Sequence, residues 1–278
     1  MPKKAMNGII MYSVKHPFSD RKNVFEPKYF DYRLKLFREI TLKSLSMQTD
    51  RDFNIFVLHS DDMPEKYQKI FRAMESEYPF VKNIWIADGE NPYVRPAAAD
   101  VDLKDGVSVN FRLDNDDALP LDFVARLRGF ARREFAGTCV SIPKINIVQR
   151  VGRDRYMLAP CDFVMNSIGL AFVADKKGYE NIMQMGNHVN IRLSRPTMLL
   201  PGDGGLQIIN GDNVSNFMRS KGKSYSLAAV RAALKEIGYP DIDLSLLKIT
   251  GPKFTKHGGP VRRLMYHIGK GFRLVRYT

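Results

Sequence analysis

The segment FRLDNDDAL, residues 111–119, places three carboxylates, Asp114, Asp116 and Asp117, within four positions. Carboxylates this close repel one another, so the cluster requires a compensating cation. Asp114 and Asp116 are two residues apart and can turn toward one point where a strand ends. Hard oxygen ligands of this kind suit Mg²⁺ or Mn²⁺, which keep coordination positions open for substrate phosphates. Arg112, on the same strand face as Asp114, could pair with a phosphate or with these carboxylates.

A plainer interpretation of the same segment is a turn. Asp and Asn favour tight turns and helix N-caps, so DNDDALP could instead cap a helix that begins at Pro120. The two interpretations differ in what Asp116 does. If Asp116 holds a metal, its replacement by Ala abolishes metal-dependent binding and leaves the fold intact, because one charge leaves a repulsive cluster.

The elements around the cluster alternate between strands and helices. Apolar runs predict strands at 7–14, 53–59, 81–88 and 106–117, and helical spacing predicts helices from Tyr29 and from Pro64. This order is typical of βαβ units, so we expect an α/β fold with a mostly parallel central sheet flanked by helices. The acidic cluster then lies at the carboxyl end of the fourth strand, where open α/β sheets bind ligands.

The second half of the chain has shorter runs. Segments TCVSIPKINIVQ, GLAFVAD and TMLLP predict strands that extend the same sheet, and residues 176–188 predict a helix between them. Further helices are expected from Pro120 and over residues 226–238.

Composition limits the functional classes. With 278 residues and 44% hydrophobic content, the chain should form a globular core. Two cysteines are too few for a disulfide framework, and neither a leader sequence nor an apolar run of about 18 residues is evident, so a cytoplasmic protein is expected.

The formal net charge of +13 is concentrated at the end of the chain, since residues 251–278 contain seven Lys and Arg and no acid. Within residues 260–276, apolar side chains recur at helical spacing between the cations. Such a basic amphipathic helix suits peripheral contact with an anionic membrane. The alternatives are a solvated basic tail and a helix that packs on the protein's own core.

Three segments together carry a family resemblance: RLKLFREITLKSLSMQTDRDF, RLDNDDAL and GLQIINGDNVSN. They resemble inverting glycosyltransferases of the GT-A fold, and in combination they are similar to the rhamnosyltransferase family of bacterial polysaccharide synthesis. The resemblance spans roughly residues 8–217. It implies a transferase domain over 1–217 and a basic helical extension over 218–278. It also implies transfer of a sugar from a nucleotide-diphosphate donor to a saccharide or lipid-linked acceptor, with Mn²⁺ or Mg²⁺ bound by Asp116 and Asp114.

The resemblance also suggests which residues contact the donor. Asp61 and Asp62 stand where the family binds the nucleotide base or ribose, although either one could instead cap the helix beginning at Pro64. Arg95 matches a basic position near the donor, or is a solvated loop charge. Asp117 would support the metal site or contact the sugar.

An inverting transfer needs a base that takes the acceptor proton, and the candidates are His188 and Asp203. A structural histidine and a turn aspartate are the alternative interpretations. Asn210 stands where the family pattern has a histidine, a better metal ligand, so an inactive sugar-nucleotide-binding relative is one rival function. The other is a nucleic-acid-binding protein, but no motif supports it and we expect no nucleic-acid partner.

Overall fold

The computed structural model describes residues 5–14, 24–103, 106–162, 164–188, 190–211 and 223–250. Its strands, in chain order, are β1 (Met6–Ser13), β2 (Asn54–Ser60), β3 (Val81–Ile86), β4 (Val107–Arg112), β5 (Cys139–Ser141), β6 (Lys144–Gly152), β7 (Arg155–Asp162), β8 (Ala171–Asp175), β9 (Thr197–Leu199), β10 (Asp203–Ile209) and β11 (Lys223–Tyr225).

The helices are α1 (Pro27–Leu36), a π-helical continuation (Phe37–Leu42), α2 (Lys43–Ser46), α3 (Glu65–Glu77), α4 (Phe123–Arg128) and α5 (Leu227–Glu236). Short 3₁₀ turns lie at Pro92–Val94, Ala98–Asp100, Arg133–Phe135, Ile182–Met185, Ile191–Leu193 and Leu244–Leu246. No described helix is long and apolar enough to cross a membrane.

The central sheet has seven strands in the order β3-β2-β1-β4-β8-β5-β9. Neighbours among the first four strands are parallel, β8 is antiparallel to β4 and to β5, and β9 is parallel to β5. Every residue of β2 is buried, as expected of a strand that is covered on both faces. The predicted fold class, α/β with a mostly parallel sheet flanked by helices, is confirmed.

A second sheet was not predicted. It has four strands in the order β10-β6-β7-β11, in which β6 and β7 form an antiparallel pair. The sequence interpretation assigned these later strands to the central sheet, which is wrong for β6. Pro143 explains the error, because it separates β5 from β6 and cannot donate to a strand ladder. The chain therefore leaves the central sheet at this residue.

Two predicted helices are shorter than expected. The helix expected over 176–188 is only the 3₁₀ turn Ile182–Met185, because Gly178 and Gly186 flank it and disfavour a longer helix. The helix expected from Pro120 begins at Phe123 and has six residues. The helix expected over 226–238 is α5, and the Ser226 hydroxyl accepts a hydrogen bond from the Ala229 amide at 3.3 Å.

Residues 223–250 belong to the same folded body as the strands. Val230, Leu234 and Tyr239 are buried in one cluster with Leu36 and Ile40 of the first helix. The predicted boundary between 217 and 218 therefore does not divide two cores in the part of the chain that the structure describes. The predicted membrane-binding segment, 260–276, lies outside the described residues.

Candidate active site

The acidic loop, residues 113–119, follows β4 at the carboxyl edge of the parallel strands. A turn closes it, since the Asp117 amide donates to the Asp114 carbonyl at 3.3 Å. The predicted turn is therefore present, but the predicted helix cap is not. The N-cap residue of α4 is Asp122, which lies outside the loop.

The carboxylate of Asp116 forms an ion pair with an arginine of the same chain. Arg33 of α1 donates from Nη1 to Oδ2 at 2.8 Å and from Nη2 to Oδ1 at 3.3 Å. The Asn210 amide nitrogen donates to the same Oδ2 at 2.7 Å. The side chains of Arg33 and Asp116 are 13% and 4% exposed, so the pair is nearly removed from water. Arg33 thus supplies the compensating charge that the clustered carboxylates require.

This ion pair corrects the expectation that Asp116→Ala leaves the fold intact. Removing one partner of a buried ion pair leaves the other charge unpaired, which typically costs about 3–5 kcal/mol. Repulsion within the acidic loop is therefore the smaller effect at Asp116.

Asp117 is an anchor between the acidic loop and the second sheet. Its Oδ1 accepts a hydrogen bond from the Ile208 amide of β10 at 2.9 Å. Burial, followed by the charges of Asp116 and Asp114, holds the pKa of Asp117 well above its usual range. Only 3% of Asp117 is exposed, which leaves little surface for the predicted contact with a sugar.

A polar stripe, made of Thr41 and Ser44 on the first helix and Gln48 just beyond its end, fixes the backbone of the acidic loop and of the residues that follow it. Thr41 Oγ1 donates to the Asp117 carbonyl at 2.9 Å, and Ser44 Oγ accepts from the Leu119 amide at 3.3 Å. Gln48 Nε2 donates to the Pro120 carbonyl at 2.8 Å, and Gln48 Oε1 accepts a hydrogen bond from the Val124 amide at 3.0 Å. The three-residue spacing of Thr41 and Ser44 puts both on one helix face, and Gln48 follows the end of the helix, which accounts for the polar positions of the TLKSLSMQ segment.

Arg112 lies at the end of β4 and differs from the other comparable arginines. Five described arginines have a buried Nε with no hydrogen-bond partner. Four of these arginines form an ion pair, in which one guanidinium nitrogen lies within 3.6 Å of a carboxylate oxygen. They are Arg38, Arg95, Arg126 and Arg231. Arg112 has neither an ion pair nor a side-chain hydrogen bond among the described residues. A partly buried, unpaired guanidinium is costly, so its position favours an anionic ligand.

Two more polar atoms beside the loop, Asn115 Oδ1 and the Tyr12 hydroxyl, are buried and have no hydrogen-bond partner in the part of the chain that the structure describes. Asn115 Nδ2 donates to the Tyr12 carbonyl at 3.4 Å, so the amide is held at one end and unsatisfied at the other. Asp114 is exposed to solvent. Among the described residues, the surroundings of the loop therefore include one unpaired cation, one exposed carboxylate and two buried polar atoms without a partner.

The predicted divalent cation does not fit these contacts. Both oxygens of Asp116 already accept hydrogen bonds from Arg33, and one of them also accepts from Asn210. In the described ranges, no three His, Cys, Asp or Glu side chains are arranged to hold a metal ion. A metal at Asp114 and Asp116 would first have to displace Arg33 from a buried ion pair.

A pocket lies beyond β2 and β3 and contains Asp61 and Asp62 together with Asp88 and Glu90. Neither predicted aspartate caps α3, whose N-cap residue is Pro64 without a side-chain hydrogen bond. Arg95 is at the rim, because its Nη1 lies 3.6 Å from a Glu90 carboxylate oxygen. Carboxylates of this kind can accept hydrogen bonds from ribose hydroxyls and base N–H groups.

The two base candidates lie in different places. His188 Nδ1 donates to the carbonyl oxygen of Met165, which is in the turn leading into β8. This turn reaches the end of β4, where the Gly169 amide donates to the Arg112 carbonyl at 2.9 Å. Asp203 begins β10, whereas Asn210 directly follows it. At about 3.3 Å per residue, Asp203 lies roughly 20 Å from the Asp116 end of this strand.

Sequence reasoning missed Arg33, Asn115 and Tyr12. Arg33 stands in the predicted first helix between the apolar positions Phe30 and Leu34, which was a signal that its charge faces inward. Its partner is 83 residues away, and no local pattern identifies a contact at that separation.

Comparison with known proteins gives one family and several solved structures. The family model described as "Putative rhamnosyl transferase" matches residues 12–222. None of the curated proteins compared with the chain matches it.

Three similar solved structures have the following agreement with the chain. TarS 1-349 from S. aureus is 11% identical over 73% of this chain and 60% of its own, with a TM-score of 0.41. GalNAc-T7 with UDP, GalNAc and Mn²⁺ is 10% identical over 74% and 44%, with a TM-score of 0.41. The mannosyltransferase PcManGT from Pyrobaculum calidifontis with GDP-Man and Mn²⁺ is 12% identical over 76% and 59%, with a TM-score of 0.39. The chain thus spans less than two thirds of each of these structures.

Proposed function

The chain belongs to the family described as "Putative rhamnosyl transferase", and from that premise we propose that it transfers rhamnose, with inversion, from a nucleoside-diphosphate donor to a saccharide or lipid-linked acceptor. The match confirms the predicted family and the predicted enzyme class, a glycosyltransferase. The donor sugar, the acceptor and the stereochemistry are part of the proposal. The donor is proposed to bind in the crevice between the acidic loop and the pocket beyond β2 and β3.

The unpaired guanidinium of Arg112 is the observation that carries this proposal. A diphosphate would give Arg112 the anionic partner that the described residues do not provide, in the forked geometry that guanidinium and phosphate groups favour. As the sugar leaves, negative charge develops on the diphosphate, and a cation already in place stabilises that charge without reorganisation.

The order of the strands supports a position for the nucleoside. The pocket containing Asp61 and Asp62 is at the end of β2, and Arg112 is at the end of β4, with β1 between them. Two strand spacings separate the two sites by roughly 10 Å, a span that one nucleoside diphosphate can bridge. We therefore assign the nucleoside to Asp61 and Asp62, the diphosphate to Arg112, and a place at the donor's rim to Arg95 and Asp114.

His188 is the better of the two base candidates. Since its Nδ1 donates to the Met165 carbonyl, the neutral imidazole carries its lone pair on Nε2, the form that a general base requires. Asp203 is at the far end of β10, so we do not assign the base role to it.

The predicted Mn²⁺ or Mg²⁺ at Asp114 and Asp116 stays a prediction, and the contacts of Asp116 weigh against it. Peripheral contact of residues 260–276 with anionic membrane also stays a prediction, which a lipid-linked acceptor would explain. A nucleic-acid partner has no observation in its favour.

Donor binding and turnover test the proposal. Nucleoside diphosphates and their sugars, including nucleoside-diphosphate rhamnoses, are titrated into the protein by calorimetry, and released diphosphate is measured. Arg112→Met should weaken binding by about 10- to 100-fold, the effect of a lost charged hydrogen bond of about 1.5–3 kcal/mol. Arg132→Met is the matched control, because Arg132 is an exposed arginine with one weak pair to Glu134 at 3.8 Å.

Each outcome separates the candidate functions. Equal affinity of the Arg112 and Arg132 variants would contradict the diphosphate assignment. Binding without release of diphosphate would instead favour the inactive relative that Asn210 suggested. Failure of every sugar nucleotide to bind would refute the proposed function.

A further inference from the structure

We infer that Arg33 is the permanent counter-ion of Asp116, so that no divalent cation binds at Asp116 and the acidic loop acts without a metal at this carboxylate. The inference rests on the proposed function for its meaning, because a transferase of this kind must otherwise obtain positive charge from a bound ion.

The Arg33 pair is the most buried of the described ion pairs. Its two side chains are 13% and 4% exposed, and its two hydrogen bonds are 2.8 and 3.3 Å long. The pair between Arg128 and Asp50 is also bidentate, but its side chains are 34% and 17% exposed. Arg38 lies on the same continuous helix as Arg33 and pairs with Glu77 of α3. The distance in this pair is 3.6 Å, and its side chains are 39% and 49% exposed. Solvent screens the exposed pair strongly and the buried one weakly, so the buried pair resists competition from ions in solution.

A metal at Asp116 would compete with Arg33 for the same oxygens. The Arg33 side chain is only 13% exposed, so a guanidinium displaced from Asp116 would lose its charge partner while still largely out of water. Leaving one member of a buried pair uncompensated costs enough to lower the apparent affinity of a metal by about 100-fold or more. Two carboxylates without a counter-ion bind a divalent cation only weakly. With this additional cost, Asp114 and Asp116 should not bind a divalent cation present at millimolar concentration.

Asn210 presents its amide nitrogen to the carboxylate. An ionised carboxylate only accepts hydrogen bonds, so the 2.7 Å contact with Oδ2 must be made by the amide's N–H side. The residue at this position therefore acts as a second donor to Asp116. This orientation accounts for asparagine at a position where the family resemblance implied a metal-binding histidine, because a neutral donor supports the ion pair.

The positive charge for the donor then comes from Arg112. Arg33 is neutralised by Asp116, whereas Arg112 has no anionic partner among the described residues. The two arginines thus divide the work, with one compensating the loop and the other left for the ligand.

The test titrates Mn²⁺ alone into the full-length, metal-stripped protein and follows the electron paramagnetic resonance signal of free Mn²⁺. No nucleotide is present, so the result does not depend on turnover. We expect the wild type to bind Mn²⁺ no more tightly than Asp116→Asn does. Arg33→Met should gain affinity by about 10-fold or more, since it exposes the carboxylate, and Arg33→Met/Asp116→Asn should lose that gain. Arg38→Met, which removes an exposed arginine from the same helix, should titrate as the wild type does.

Wild-type binding tighter than about 1 mM that Asp116→Asn removes would overturn the inference. If the Asp116 or Arg33 variants do not fold, nitrogen-15 spectra of the wild type decide the question. Selective loss of the Arg33 Nε–H signal at substoichiometric Mn²⁺ would overturn the inference, and retention of that signal supports it. Should no sugar nucleotide bind in the calorimetric screen, the proposed function fails while this titration still distinguishes Arg33 from a metal.

Discussion

Arg33 and Arg112 are two arginines beside one acidic loop, and they differ in what surrounds their charge. Arg33 meets a buried carboxylate in two hydrogen bonds, and Asn210 completes that carboxylate. Arg112, the last residue of β4 directly before the loop, meets no carboxylate among the described residues. We call the first group the closed side of the loop (Arg33, Asp116, Asn210) and the second the open side (Arg112, Asp114, Asn115).

The closed side holds the acidic loop in position, whereas the open side is available to bind a ligand. On the closed side every strong polar group has a partner within the chain, so the free energy of those contacts goes into holding the loop. On the open side Arg112 Nε and Asn115 Oδ1 are buried without a partner among the described residues, so the fold bears a cost that a ligand removes when it binds. The two sides should therefore respond differently to substitution.

The largest expected effect is on the closed side. Arg33→Met should lower the free energy of unfolding by about 3–5 kcal/mol, because Asp116 is left buried without its counter-ion. Urea denaturation measures the change. Arg33→Met/Asp116→Leu should recover most of that loss, since an apolar pair replaces the ions. Arg112→Met should change stability by less than about 1 kcal/mol. Equal losses for Arg33→Met and Arg112→Met would remove the distinction between the two sides.

The pH dependence of stability extends the comparison to His59, a fully buried residue of β2 next to the pocket that, like the closed side, has a polar partner within the chain. It hydrogen-bonds Asn83 at 3.0 Å, and burial lowers its pKa from 6.5 to about 3. The unfolded chain therefore takes up a proton that the folded chain refuses. Stability contributed by His59 is complete above about pH 6.5 and is lost as the pH falls toward 3, by up to about 1.4 kcal/mol per pH unit.

The measurement is urea denaturation at several pH values between 6.5 and 4 for the wild type and for His59→Gln. The wild type should lose stability more steeply on acidification. Asp117 titrates in both proteins, so the difference between the two slopes isolates His59. Parallel slopes would show that the pKa of the imidazole is the same in the folded and the unfolded chain, which would contradict this prediction.

The smallest effect is expected at Asp203, which lies at the opposite end of β10 from the closed side. Asp203→Asn should change the rate of sugar transfer by less than about threefold, or about 0.7 kcal/mol of activation free energy. Loss of a general base would instead slow transfer by about 10²- to 10⁴-fold. A steady-state rate in the second range would move the base assignment from His188 to Asp203.

The parallel half of the fold could be predicted because its signals are local. Strand β2 is a continuous apolar run, and the first helix has apolar residues at spacings of three and four. The second sheet could not be assigned in this way. Strands β6 and β7 have the same residue types as central-sheet strands, and which sheet a strand joins is decided by its neighbours in space.

The site was predicted in part for the same reason. The acidic loop was evident because its carboxylates are adjacent in sequence and end a strand. Its closing partners were not evident, because Arg33, Thr41 and Asn210 come from elements 76 to 94 residues away. Without the partner, a carboxylate that binds a metal and a carboxylate that binds an arginine look alike.

The polar stripe of Thr41, Ser44 and Gln48 has a consequence for folding. Loops ordinarily open by themselves at little cost, while the core stays folded. Here the loop backbone bonds to a helix 75 or 76 residues earlier, and the Asp117 carboxylate accepts a hydrogen bond from β10, 91 residues later, so both must dock before these contacts form. Contacts of this sequence separation have a high loop-closure entropy and are slow to form. We therefore expect the loop to open only when its helix and β10 separate, so that activity disappears in the same cooperative step as the fold.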